Sequence, residues 1–260
     1  MHIISFGGGV QSSALALMFA KGELGPMPEA AIFADTQAEP QSVYKWLGWI
    51  EGQLPFPIVR VTAGDLTEAS TTVRTSKTGT KYIKPAIPAY ITRDGVKGMA
   101  QRHCTMDYKI AVIQREIRRR RAGRKVTQYL GISWDEAHRM KPSPLAYVHN
   151  AYPLVERRLT RGHCLEWMQR NGYPKPPRSA CTFCPFHSDE EWKRLRDEEP
   201  EEFASAVAYE QRLQAAYAGT TALGGVPFLH PARIPLDQVD FRDGGQTDLF
   251  GNECAGVCGV

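Results

Sequence analysis

Ser5-Phe6-Gly7-Gly8-Gly9-Val10-Gln11-Ser12-Ser13 joins the short apolar run Ile3-Ile4-Ser5-Phe6 to a stretch, Gln11 to Ala20, that is apolar on most of its faces. The first run reads as a strand and the second as a buried helix, so the three glycines form a strand-to-helix turn. Glycines at such a turn let the backbone come close to an anion and expose successive N–H groups. The helix that follows aims its positive end at the same point, and Ser12 and Ser13 add hydroxyl donors. A branched side chain at Gly8 is expected to block that approach. The turn is neither a Walker A loop nor Gly-x-Gly-x-x-Gly. Taken alone, it also suits a plain tight turn.

Outward from the turn, Ala30 to Ala34 reads as a second strand, Val43 to Ile50 as a helix with Tyr44, Trp46, Leu47 and Ile50 on its apolar side, and Pro57 to Val61 as a third strand. Strands alternating with helices specify an α/β fold on a parallel, twisted sheet. Ligands in such sheets bind at the C-terminal ends of the strands, which is where the turn lies. From Thr67 to Arg102 no period is visible, and so long a loop in a compact domain is usually functional. A helix is expected from Lys109 to Arg121, a strand from Val126 to Leu130, a short edge strand from Ala151 to Val155, and a helix from Thr160, its N-cap, to Asn171. Pro174 to Pro185 is a Pro- and Cys-rich loop. Two acid-rich helices are expected over Asp189–Arg196 and Pro200–Ala216, with little periodicity after Gly219.

The 260 residues suffice for one large domain or a domain with a small appendage, and a 42% hydrophobic share can fill its core. No apolar run nears the ~20 residues that span a bilayer. The N-terminus carries no basic lead or cleavage site, so a cytoplasmic protein with no membrane partner is expected. Charge is uneven: Arg60 to Lys141 holds 18 Lys/Arg against 7 Asp/Glu, whereas Phe186 to the end holds 6 against 14. The basic middle suits a polyanion such as nucleotide phosphate, sulfate or nucleic acid, or else solvated helix faces. Cys104, Cys164, Cys181, Cys184, Cys254 and Cys258 are the cysteines. A reducing compartment disfavours disulfides, so their grouping points to metal, an iron–sulfur cluster or sulfur redox chemistry. Cys181-Thr182-Phe183-Cys184-Pro185 is a knuckle able to grip one cluster or one zinc.

Several of these segments share one resemblance. The glycine turn resembles the PP-loop Ser-Gly-Gly-x-Asp-Ser of adenine nucleotide α-hydrolase-like proteins: Gly7 stands at the first Ser, Gln11 at the Asp and Ser12 at the last Ser. Ala34-Asp35-Thr36-Gln37-Ala38-Glu39-Pro40 resembles the Asp-Thr-Gly segment of phosphoadenylylsulfate reductases. Arg102-His103-Cys104-Thr105-Met106-Asp107-Tyr108-Lys109 resembles the Arg-x-Cys-Thr-x-x-x-Lys segment of related sulfurtransferases, including those that make DNA phosphorothioates. Gly131-Ile132-Ser133-Trp134-Asp135-Glu136-Ala137-His138-Arg139 resembles their Gly-Ile-x-x-x-Glu-x-x-Arg. The likeness covers roughly residues 1 to 200.

The resemblance implies a Rossmann-like PP-loop domain over 1–155 and a C-terminal cysteine-bearing subdomain of helices and loops, with a tail, over 156–260. It implies ATP or another adenine nucleotide on Ser5, Gly7, Gly8, Gly9, Gln11, Ser12, Ser13, Asp35 and Thr36, with Asp35 near ribose, adenine or a magnesium ion. Sulfate or phosphate would meet Arg102, Lys109 and Arg139, for which structural salt bridges are the other reading. A [4Fe–4S] cluster would take Cys104, Cys164, Cys181 and Cys184, although Cys164 also suits a core thiol. Cys254 and Cys258, in a tail similar to the Glu-Cys-Gly end of assimilatory reductases, would serve as catalytic thiols or as substitute ligands. The implied activity is an adenine-nucleotide-dependent iron–sulfur sulfurtransferase, with a nucleic-acid or sulfate-ester substrate and a sulfur donor protein or thiol reductant. The alternatives are reduction of phosphoadenylylsulfate to sulfite, and a non-catalytic nucleic-acid-binding module with a structural metal knuckle.

Overall fold

The computed structural model describes residues 1–84, 86–218, 220 and 225–241, and its central element is a five-stranded, all-parallel sheet in the order β3-β2-β1-β8-β9. The strands are β1 His2–Phe6, β2 Ala30–Asp35, β3 Ile58–Thr62, β8 Val126–Leu130 and β9 Val148–Ala151. Between them come α1 Val10–Ala20, α2 Gln41–Glu51, α3 Leu66–Thr71, the short strands β4 Arg74–Thr75, β5 Lys81–Tyr82, β6 Tyr90–Arg93 and β7 Val96–Met99, a π-helical turn Thr105–Ile110, and α4 Ala111–Arg121. The chain continues through α5 Pro153–Glu156, α6 Arg161–Arg170, α7 Asp189–Glu198, α8 Pro200–Ala218 and β10 Val226–Phe228. This is the α/β fold on a parallel sheet that the alternating pattern predicts, Rossmann-like as the resemblance implies.

Strand order decides where a ligand can sit. The chain steps from β1 to β2 to β3, then returns across the sheet to place β8 on the other side of β1. Crossovers of one hand that travel in opposite directions put their helices on opposite faces. Accordingly, Ile4 and Phe6 of β1 pack with Phe33, α1, α2 and α6 in one core, while Ile3 packs with Ile32 and with Ile113 and Ile117 of α4 in another. The crevice between the ends of β1 and β8 is the topological switch point. Helix α1 is buried from Val10 through Phe19, so its all-round apolar sequence reflects cover on every side rather than an amphipathic stripe.

The C-terminal helices build a further core. Trp192, Leu195, Tyr209 and Leu213 of α7 and α8 pack with Leu66, Ile83 and Ile87 from the middle of the chain and with Leu229, Leu236 and Phe241 after α8. The segment from Thr67 to Arg102, expected as one loop, thus contains nearly all of α3 and two hairpins, β4-β5 and β6-β7, the latter extended by β10. Strands of two to four largely exposed residues leave no periodicity to read. Packing also crosses residue 155 in both directions, since α6 belongs to the sheet core and Leu66, Ile83 and Ile87 to the core of α7 and α8. The edge strand expected at Ala151–Val155 lies earlier, because Pro153 opens α5, where its fixed φ suits a first helical turn. Thr160 caps α6 as expected, in a reciprocal pair with His163.

Candidate functional site

The glycine turn closes β1 at the switch point. Gly8 has φ +81°, a left-handed conformation that glycine alone adopts without strain. An added Cβ there would meet Phe33, Val43 and Ser179 at 3.6–3.9 Å, ordinary packing distances. Among the protein's own atoms a side chain at Gly8 has room, and the left-handed φ by itself already favours glycine there. Gly131, at the end of β8, would place a Cβ 2.8 Å from the backbone of Ser12. The close seating of β8 against the first turn of α1 requires a residue with no side chain.

The polar groups of the turn are committed inward. Ser13 Oγ accepts from Trp46 Nε1 at 3.0 Å, and Ser12 Oγ donates to the carbonyl of Gly9 at 3.3 Å. Gln11, where the resembled motif has Asp, is 1% exposed and donates from Nε2 to Glu136 at 3.0 Å, while its Oε1 has no partner. Glu136 pairs in turn with Arg139. A polar chain, Arg139–Glu136–Gln11, therefore spans the switch point. Ser5 is buried in β1.

On the neighbouring strand end, Asp35 Oδ1 accepts from the backbone of Gln37 at 2.8 Å and from Tyr44 Oη at 2.9 Å. Burial, aided by Asp35, pushes the Tyr44 phenol well above its usual range. Thr36 is fully buried and donates to Glu39 Oε1 at 3.3 Å. Glu39, part of the second-strand segment but given no role from the sequence, also meets Lys109 Nζ at 3.5 Å, and both side chains are almost wholly enclosed. A buried pair of this kind shows more about specific placement than about stability.

The cysteine knuckle docks directly on these strand ends. Thr182 donates its backbone N–H to Ala38 O at 2.9 Å, and Cys181 Sγ lies 3.4 Å from Thr36 Oγ1. Ser179, two residues upstream of Cys181, hydrogen-bonds the carbonyl of Gly7. His187 lies 3.0 Å from the carbonyl of Cys181 through Nε2, and burial holds its imidazole neutral, far below its ordinary pKa. Burial also pushes the Cys181 thiol well above its usual range; the Glu39 carboxylate adds to the rise, and Lys109 partly offsets it. Cys184 is partly exposed. Arg102 lies over the Phe186 ring just beyond the knuckle, 5.3 Å from its centroid.

The structure thus separates residues that the resemblance grouped. Cys104, Cys181 and Cys184 share the core of α7 and α8, whereas Cys164 is fully buried in the sheet core on α6. Among the described residues, no three His, Cys, Asp or Glu side chains come together as a metal-binding group. A [4Fe–4S] cluster on the four cysteines Cys104, Cys164, Cys181 and Cys184 does not fit this arrangement. Cys254 and Cys258 lie outside the described residues. Lys109 and Arg139 are each held by a carboxylate. Sequence reasoning missed Glu39 and Ser179; the position of Ser179 just before the knuckle was the available signal.

No protein-family model matches this chain, and no curated protein matches it in sequence. Among solved structures it is similar to the U34-tRNA thiolase NcsA from Methanococcus maripaludis with its [4Fe–4S] cluster, at 13% sequence identity and a TM-score of 0.35, over 82% of this chain and 71% of that one.

Proposed function

We propose that this chain is an enzyme of sulfur transfer that works with an adenine nucleotide at the β1/β8 switch point. The observation that carries the reading is the seating of the Cys181–Cys184 knuckle on both strand-end loops, through Ser179 to Gly7 and through Cys181 to Thr36. A nucleotide on the glycine turn would then lie beside a cysteine loop. In this reading the turn and the N-terminus of α1 hold phosphate, and Asp35 orients the nucleoside or a magnesium ion. The polar chain from Arg139 to Gln11 braces the far wall. Cys181, buried and protonated, shapes the knuckle, and the more accessible Cys184 carries the sulfur chemistry. A cluster would add electron-rich sulfide chemistry, but it needs a ligand set other than the four cysteines first expected.

Calorimetric titration with ATP, AMP and phosphoadenosine phosphate tests the reading. Binding of at least one of them is expected. Released pyrophosphate with ATP would mark activation of an acceptor, and released sulfite with phosphoadenylylsulfate would mark the reductase. No affinity for any adenine nucleotide would leave the nucleic-acid-binding module in its place.

A further inference from the structure

A cavity of about 870 Å³ opens between α2, the start of α6, the Lys175–Arg178 loop and α7. Its wall holds an unusual set of unanswered donors. Arg178 donates from one Nη to the carbonyl of Phe186 at 2.9 Å, yet its Nε and other Nη are buried without a partner. Arg161 Nε and Ser42 Oγ are likewise buried and unpartnered. All three residues line this cavity. A buried donor left without an acceptor is costly, more so when the group is charged, so two guanidinium groups in this state mark a place where an acceptor belongs.

The helix ends at the cavity are already answered, so the unpartnered side-chain donors carry the case alone. Ser42 and Arg161 sit in the first turns of α2 and α6, and neither first turn contains an acidic residue. The N–H groups that open both helices meet carboxylates from elsewhere instead: Glu202 accepts from Gln41 N at 2.9 Å, and Asp135 accepts from Arg161 N at 3.2 Å. The third helix at the cavity, α7, starts with Asp189, Glu190 and Glu191 and so answers its own end. The carboxylates of Glu191, Glu198 and Glu199 are gathered around Arg194, not around Arg161 or Arg178. Trp46 and Trp49 line the cavity along α2.

We infer that this cavity binds a tetrahedral oxyanion, the phosphate or sulfate end of a small ester, on Arg161, Arg178 and Ser42. The oxyanion supplies the acceptors these donors lack, and a guanidinium edge suits its geometry. The remaining volume, walled by the two tryptophans, takes the body of the ester. The inference rests on the unpartnered donors and does not depend on a nucleotide at the glycine turn.

The test titrates the full chain with inorganic phosphate and, separately, with sulfate, following heat and the melting temperature. Wild type should bind at least one of them in the millimolar range, and the preferred ion identifies the ester class. Arg178→Gln and Arg161→Gln should each weaken binding about tenfold, whereas Arg119→Gln, which removes the same charge from α4, should leave it unchanged. Because Arg178 also holds the Phe186 carbonyl, Arg178→Lys serves as the gentler variant: it keeps a cation but loses the guanidinium edge, and should bind several-fold more weakly. No binding of either ion by wild type, or wild-type affinity in folded arginine variants, overturns the inference. If Gly8→Ala loses the ion while the arginine variants keep it, the ion sits on the turn and the inference falls while the nucleotide reading stands. If the arginine variants lose the ion in a protein with no nucleotide affinity, the cavity stands without that reading.

Discussion

Gly8 and Cys164 show how single residues divide the labour. Gly8 holds a φ of +81° in a buried turn, so Gly8→Val forces a branched residue into the left-handed region. The expected outcome is a loss of about 1–3 kcal/mol in denaturant unfolding, together with loss of adenine-nucleotide affinity by calorimetry. Full affinity in a folded variant would remove the turn from the site. Cys164 is fully enclosed on α6, among the residues of the sheet core. Cys164→Ala should cost roughly 1–2 kcal/mol of stability and leave iron content and turnover per folded molecule unchanged; a variant as stable as wild type but inactive would contradict this. The ambiguity of Cys164 was visible in the sequence, where Leu165, Trp167 and Met168 flank it. Only packing separated it from Cys181 and Cys184. Glu39 was illegible for a related reason: its partner Lys109 is seventy positions away, and no local pattern announces a buried ion pair.

At the scale of elements, the regular pieces were legible and the irregular ones were not. Strands β1, β2, β3 and β8 and helices α2 and α6 fall where apolar periodicity puts them, within one or two residues. The hairpins escaped because their residues are few and mostly exposed, so neither alternation nor burial marks them. The arginine run at the end of α4 was open between a polyanion site and a solvated face; the structure gives part of it to the helix itself. Arg119 and Arg120 both bind Glu116, and Arg121 stacks on Tyr147 at 4.0 Å. The hydrogen bond from Arg119, helped by Arg120, lowers the Glu116 carboxyl to about 2 from its usual 4.5. A carboxylate with a depressed folded pKa contributes stability that is present above the unfolded value and lost as pH falls through the folded one. Wild type should thus be more stable than Glu116→Gln at neutral pH. The difference should shrink as pH falls from 4.5 toward 2, read by urea unfolding at each pH. A difference that does not change with pH would mean that Glu116 acts through packing alone.

For the molecule as a whole, charge has a definite address. The two hairpins hold Arg74, Lys77, Lys81, Arg93 and Lys97, all exposed, beside exposed Tyr82, Val96 and Met99. Cations interleaved with exposed aromatic and apolar side chains suit single-stranded nucleic acid. Replacing Lys77, Lys81 and Lys97 by Glu should weaken binding of a fluorescent single strand at least about tenfold and should reduce the slope of log affinity against log salt by about 2. Salt-independent binding, or the same slope in the variant, would leave these lysines as solvated surface. The basic middle of the chain was evident from composition. Its division between a paired helix end and two hairpins with exposed cations was not, because composition records charge without its partners.

The core of α7 and α8 draws on Leu66 and on Phe241 alike. A nascent chain emerging from the ribosome can therefore complete the Rossmann-like sheet long before its middle hairpins acquire their cover. At about 5–20 residues per second, Ile83 and Ile87 wait on the order of 10 s for Leu229, Leu236 and Phe241 to be synthesised. During that interval the hairpin segment is a natural substrate for chaperones, and a chain interrupted within α8 should be recognised and degraded while its first sixty residues are already in their final pairing.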